Sequence, residues 1–133
     1  MKKTYTGSCH CGAVRFEADL DLEQPTSKCN CSVCTKGRFW KQVVPREAVR
    51  VLQGEDALTE YGFGSGNIQH LFCSRCGIKP FGRGEVEGFG RFTAVNLACL
   101  DDAEDAALAA APVLFEDGRN NDWTRPPVEI RHL

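Results

Sequence analysis

Seven of the eight cysteines fall in three short clusters: Cys9-His10-Cys11, Cys29-Asn30-Cys31-Ser32-Val33-Cys34 and Cys73-Ser74-Arg75-Cys76. A chain patterned this way must bring its thiols to shared centres or leave them as reactive groups. Cys73-x-x-Cys76 has the knuckle spacing of a tetrahedral zinc site, in which Zn–S bonds of about 2.3 Å set neighbouring sulfurs roughly 3.8 Å apart. Residues two apart on a strand point to one face. Cys9 and Cys11 can therefore reach one ion if the strand end bends, and Gly7 and Gly12 flank them to permit it. Together the outer clusters make a four-sulfur site from Cys9, Cys11, Cys73 and Cys76 that staples the N-terminal strand to the middle of the chain. Gly77 follows directly and is placed for a positive-φ turn. His10, the odd residue between two ligands, is expected to point away. Redox-active dithiols are the other way to read these four residues.

The middle cluster offers only three sulfurs. Zinc on three protein ligands keeps a fourth position open, as catalytic sites do. Lys28, Lys36 and Arg38 flank the cluster, and cations lower thiol pKa and attract anionic ligands. A thiol that enters such a position loses its proton on coordination. Two alternatives stay open: His70, His132 or Cys99 closes a second structural site, or the three thiols are metal-free and reactive. Cys99, in Leu97-Ala98-Cys99-Leu100, reads as an inert core thiol. That argues against a thiol oxidoreductase, which needs a reactive cysteine outside the ligand sets.

The remaining composition narrows the class. A length of 133 residues suits one domain over 1–133. Net charge is −2, acids and bases are mixed, and no basic block extends beyond Lys2-Lys3, so neither nucleic acid nor an anionic membrane is an expected partner. No apolar run approaches membrane-spanning length. Met1–Gly7 lacks the apolar region of a secretory signal, which makes the reducing cytoplasm the expected compartment and metal ligands the expected use of the cysteines.

The chain reads as many short strands with glycine-rich turns. Val14, Phe16 and Ala18 alternate with polar residues. Further strands are expected over 26–31, 39–44, 49–52, 58–63, 68–73 and 91–97, the last with Thr93, Val95 and Leu97 on one face. A helical turn is expected over Ser32–Lys36. Asp101 or Asp102 is placed to cap a helix over Ala103–Ala110, ended by Pro112. The tail from Val113 reads as irregular. Phe39, Trp40, Phe63, Phe81, Phe89 and Phe92 read as core before pocket. Arg83, Arg91, Arg119 and Arg125 are candidates for binding carboxylates.

The sequence resembles the glutathione-dependent formaldehyde-activating family, which includes the centromere-protein-V type. The matching stretches are Gly7-Ser8-Cys9-His10-Cys11-Gly12-Ala13-Val14-Arg15-Phe16, Cys29-Asn30-Cys31-Ser32-Val33-Cys34 and Phe72-Cys73-Ser74-Arg75-Cys76-Gly77, with Val95-Asn96-Leu97 and Asp101-Asp102 as a weaker match. The resemblance implies a mainly β fold, the β-tent, with short strands around a structural zinc held by Cys9, Cys11, Cys73 and Cys76. It implies a second, catalytic zinc, full or partly occupied, at Cys29, Cys31 and Cys34. The implied activity is carbon–sulfur lyase chemistry, joining formaldehyde or a related aldehyde to glutathione or a similar small thiol. Lys28, Lys36 or Arg38 would then steer the thiol's carboxylates. A non-catalytic zinc module that binds a protein partner is the competing expectation.

Overall fold

The computed structural model describes all 133 residues. In chain order the strands are β1 (Lys3–Ser8), β2 (Arg15–Leu20), β3 (Thr26–Cys29), β4 (Trp40–Pro45), β5 (Val49–Gln53), β6 (Leu58–Tyr61), β7 (Ile68–Cys73), β8 (Phe81–Val86), β9 (Gly90–Asn96) and β10 (Val113–Glu116). Two short helices, α1 (Ser32–Gly37) and α2 (Asp105–Ala110), interrupt them. A small sheet has the order β1-β2-β5 and a large one the order β10-β3-β4-β9-β8-β7-β6. Every pairing is antiparallel except β10 on β3, where Val113 lies opposite Thr26 and Glu116 opposite Cys29.

Period-two burial drives this arrangement. Along β2, Phe16, Ala18 and Leu20 are buried while Glu17 and Asp19 reach toward solvent. The large sheet answers with Leu71, Phe81, Val95 and Leu97 from β7, β8, β9 and the 3-10 turn that follows. The rings of Phe16 and Phe81 meet edge to face, centroids 5.4 Å apart, the geometry aromatic quadrupoles favour. A side chain at Gly7 would run into the Phe16 ring and the Cys99 carbonyl, so β1 passes close over the core only because that position is glycine.

The expected strands around Phe16, Thr26, Trp40, Val49, Leu58, Ile68 and Thr93 are all present. Two expectations change, and one strand, β8, is additional. The tail is not wholly irregular, because residues 113–116 form β10. Residues 81–86 form β8, which its glycines disguise as a turn. Helix α2 begins at Asp105 after Glu104, and neither expected cap serves it. Asp101 instead accepts the Ser8 hydroxyl at 2.7 Å, and Asp102 accepts the Thr6 amide at 2.9 Å. Those carboxylates fasten β1 to the segment after β9. No helix is long and apolar enough to cross a membrane.

On the small sheet's outer face, Arg50 joins Glu17 at 2.8 Å and holds both oxygens of Asp19 at 3.0 and 3.1 Å. The Arg50 guanidinium, helped by the Thr4 hydroxyl, draws the Asp19 carboxyl down from 3.8 to about 2. A depressed carboxyl stabilises the fold fully above its unfolded pKa and ceases to as pH falls through its folded one. Asp19→Asn should therefore lie below wild type in stability above pH ~4 and converge with it toward pH ~2, as read by urea melts across that window. A gap independent of pH would remove the ionic explanation.

Candidate metal centre

The four outer thiols meet at one corner where both sheets end. Cys9 and Cys11 lie not on a bent strand, as expected, but in a tight turn just past β1. There Gly12, at φ 81°, donates its amide to the Cys9 carbonyl at 3.2 Å. Cys73 is the last residue of β7, and Gly77, at φ 79°, donates to its carbonyl at 2.8 Å. The sulfurs of Cys9 and Cys11 stand 3.7 Å apart and those of Cys11 and Cys73 3.6 Å apart, close to the tetrahedral edge length. Amides of Val14 and Arg75 point at Cys9 Sγ and Cys73 Sγ from 3.3 and 3.4 Å, the outer donors that steady thiolates. Backbone N–H groups of Cys11 and Ile78 draw the Cys76 thiol down to about 6, and that of Cys76 lowers Cys73. Donor set and spacing fit zinc. His10 is exposed and outside the group.

Cys29, Cys31 and Cys34 form the second group, with all three sulfurs within 4.8 Å of one another. Cys29 ends β3, Cys31 occupies the N-cap position of α1, and Cys34 lies one turn into that helix. Hydrogen bonds from Cys29 and Cys34, followed by helix amides, pull the Cys31 thiol down. The partners move the other way: Cys31 raises Cys29, and Cys29 with Cys31 raises Cys34. No further His, Cys, Asp or Glu joins the group, so His70, His132 and Cys99 leave it with three protein ligands. Cys99 is buried, and burial pushes its thiol up to about 12, as expected of a core residue.

Beside the three thiols is a small cavity of about 30 Å³, walled by Lys28, Cys29, Cys34, Arg38, Phe39 and His132 among others. Arg38 takes a left-handed conformation, φ 50°, and donates to the His132 carbonyl at 3.0 Å. Two of the three flanking cations, Lys28 and Arg38, therefore reach the site, whereas Lys36 is exposed in the last turn of α1 and is not on the cavity wall. Of the arginines singled out in the sequence, Arg83 pairs with Glu55 and Arg125 with Asp122.

The sequence did not disclose how the group is held. Asn30, buried between two of the cysteines, donates to Asp117 at 2.8 Å and accepts the Arg119 amide at 2.9 Å. Its own amide reaches the Glu116 carbonyl at 3.1 Å. This clasp lays Gly118 on the thiols: a Cβ there would stand 2.5 Å from Cys29 Sγ and 3.1 Å from Cys31 Cβ. Lys41 and Glu116, paired at 2.7 Å, close the same edge. Asp117-Gly118 announces a turn, but nothing local links it to Asn30.

Comparison with known proteins adds identity to geometry. Residues 4–116 match the family described as "Glutathione-dependent formaldehyde-activating enzyme". A stretch of 79 residues is 35% identical to a Halomonas elongata protein named "Putative glutathione-dependent formaldehyde-activating enzyme", covering 53% of this chain and 50% of that protein. The chain thus spans about half the length of that curated relative. A crystal structure of a Rhodobacter sphaeroides protein aligns with a TM-score of 0.69 at 30% identity, covering 82% of this chain and 99% of that one.

Removing the clasp should loosen the site selectively. Asn30→Ala leaves Asp117 and the Arg119 amide without their partner and is expected to cost about 2 kcal/mol in urea unfolding. Asn30→Asp, which sets two carboxylates face to face, should cost more. Equal stability of Asn30→Ala and wild type would show that the 117–119 segment does not depend on Asn30.

Proposed function

Because the chain belongs to the glutathione-dependent formaldehyde-activating family, we propose that its three-thiol group is the reaction centre of a carbon–sulfur lyase. One observation carries the proposal: Cys29, Cys31 and Cys34 converge without a fourth protein ligand, beside a cavity that presents Lys28 and Arg38. The reaction adds a thiol S–H across an aldehyde C=O. A sulfur–carbon bond forms, the carbonyl π bond breaks, and the thiol proton ends on oxygen. Zinc held by the three cysteines would supply a Lewis acid there and favour the thiolate form of an incoming thiol.

The chain's own residues bind and orient. Lys28 and Arg38 are placed to hold the carboxylates of a glutathione-like thiol, Arg38 with a planar fork suited to bidentate contact. Lys36, off the cavity wall, contributes at most longer-range steering. Gly118 and the Asn30 clasp shield the Cys29 side from water. The four-cysteine corner would hold a second zinc with a structural role. These free thiols suit a reducing, cytoplasmic setting.

Two measurements test the reading. Exchange NMR on a formaldehyde–glutathione mixture should show faster interconversion with wild type and the unassisted rate with Cys31→Ser. No acceleration by wild type would reject the glutathione–formaldehyde assignment and favour a binding module. Metal analysis should find two zinc ions per wild-type chain and one in Cys31→Ser with its fold kept, whereas Cys73→Ser should lose thermal stability outright, as loss of a structural metal does. Two ions retained by Cys31→Ser would contradict the site assignment.

A further inference from the structure

Lys79 is a half-buried ammonium with no carboxylate partner; the chain's ion pairs use other cations. Burying an unpaired charge is costly, so its surroundings need an account. The side chain crosses the outer face of the large sheet above Gly82, where a Cβ would stand 3.6 Å from its Cε. Its Nζ lies 4.0 Å over the centroid of the Phe39 ring and 2.7 Å from His70 Nδ1. Its carbonyl is pinned by the Asn96 amide group at 2.9 Å. Phe39 packs against Cys34 and walls the cavity with it, so the ammonium stands one ring away from the three-thiol group, and Lys41, the other cation on this side, is paired with Glu116.

His70 completes this flank. It stacks on Phe63 with centroids 5.5 Å apart. Accepting from an ammonium at Nδ1 puts the imidazole proton on Nε2, and Nε2 has no partner in the chain and is not sealed from solvent. An ammonium and an N–H donor thus sit together on the Phe39 side of the group. Neither is on the wall of the cavity that Lys28 and Arg38 share. The site has two cationic flanks where the sequence showed one.

We propose that the Lys79 flank receives the electrophile, and that Lys79 makes the site favour an aldehyde bearing a carboxylate next to its carbonyl carbon over a neutral aldehyde such as formaldehyde. The proposal rests on the lyase reading for the reaction itself. The physical basis is separate: a fixed positive charge raises the local concentration of small anions and offsets the charge that an anionic reactant brings to a thiolate cluster.

Iodoacetate and iodoacetamide test this without turnover, because they are small electrophiles of similar shape that differ in charge. Their rates at Cys31 and Cys34, followed by peptide mapping at neutral pH, give a ratio from which the thiolate fraction cancels. In Lys79→Met the iodoacetate-to-iodoacetamide ratio should fall about fivefold, the loss expected for one unit charge a few ångströms away in a largely screened site. Lys79→Arg should restore it. An unchanged ratio in Lys79→Met, or a fall that Lys79→Arg does not reverse, overturns the proposal. Should Lys79→Met not fold, Lys79→Gln, which removes the charge and keeps a donor for His70, takes its place under the same two criteria. Failure of the glutathione–formaldehyde exchange would leave this ratio untouched, so the two readings fail separately.

Discussion

The two sheets converge at one corner because four sulfurs must stand within a few ångströms of one another there. Cys9 and Cys11 follow β1 of the small sheet, and Cys73 closes β7 of the large one, 62 residues beyond Cys11. Closing so long a loop is entropically costly, but the cost grows only slowly with length, and apolar burial shares the work. Phe16 presses on Phe81 between the same two sheets. With the corner fixed, β2 must lay its apolar alternation against β8 and β9, and the rest of the large sheet follows by pairing.

The three-thiol group is held by different means. It sits where β3 turns into α1, and side-chain and backbone hydrogen bonds secure it. Asn30 uses both ends of its amide on the 117–119 segment, so a residue between two cysteines orders the loop that covers them. The contrast follows from ligand number. Four sulfurs that gather from two sheets tie the sheets together, while three from one short segment tie nothing else and need bracing from outside.

What the sequence disclosed follows how local each signal is. Cysteine spacing is local, so the three short clusters are legible in the sequence, and the fold brings the outer two together. Strands with clean alternation, such as Phe16-Glu17-Ala18 and Thr93-Ala94-Val95, were legible for the same reason. Strand β8 was hidden by Gly82 and Gly84, whose missing side chains make room for Lys79 above one and for Phe92 and Ile68 above the other. Strand β10 was hidden because four residues between Pro112 and Asp117 carry little pattern, and their partner β3 lies far upstream. Asp101 and Asp102 were misread as helix caps because their true partners, Ser8 and Thr6, are more than ninety residues away. Lys79 gave no signal at all: its meaning comes from His70 on β7 and from the Phe39 ring, forty residues upstream.

The late position of β10 has a consequence for how the protein is made. Asn30 and Asp117 are 87 residues apart, and contacts of such separation form late. While the chain is synthesised from its N-terminus, Cys29, Cys31 and Cys34 emerge long before the strand and glycine that shelter them. Through that interval they are uncovered thiols on a nascent polypeptide, free to react with oxidants or pair with any other cysteine already made. The arrangement that keeps one side of the group open in the finished protein leaves every side open at birth, so until β10 arrives the group has no shelter from its own fold.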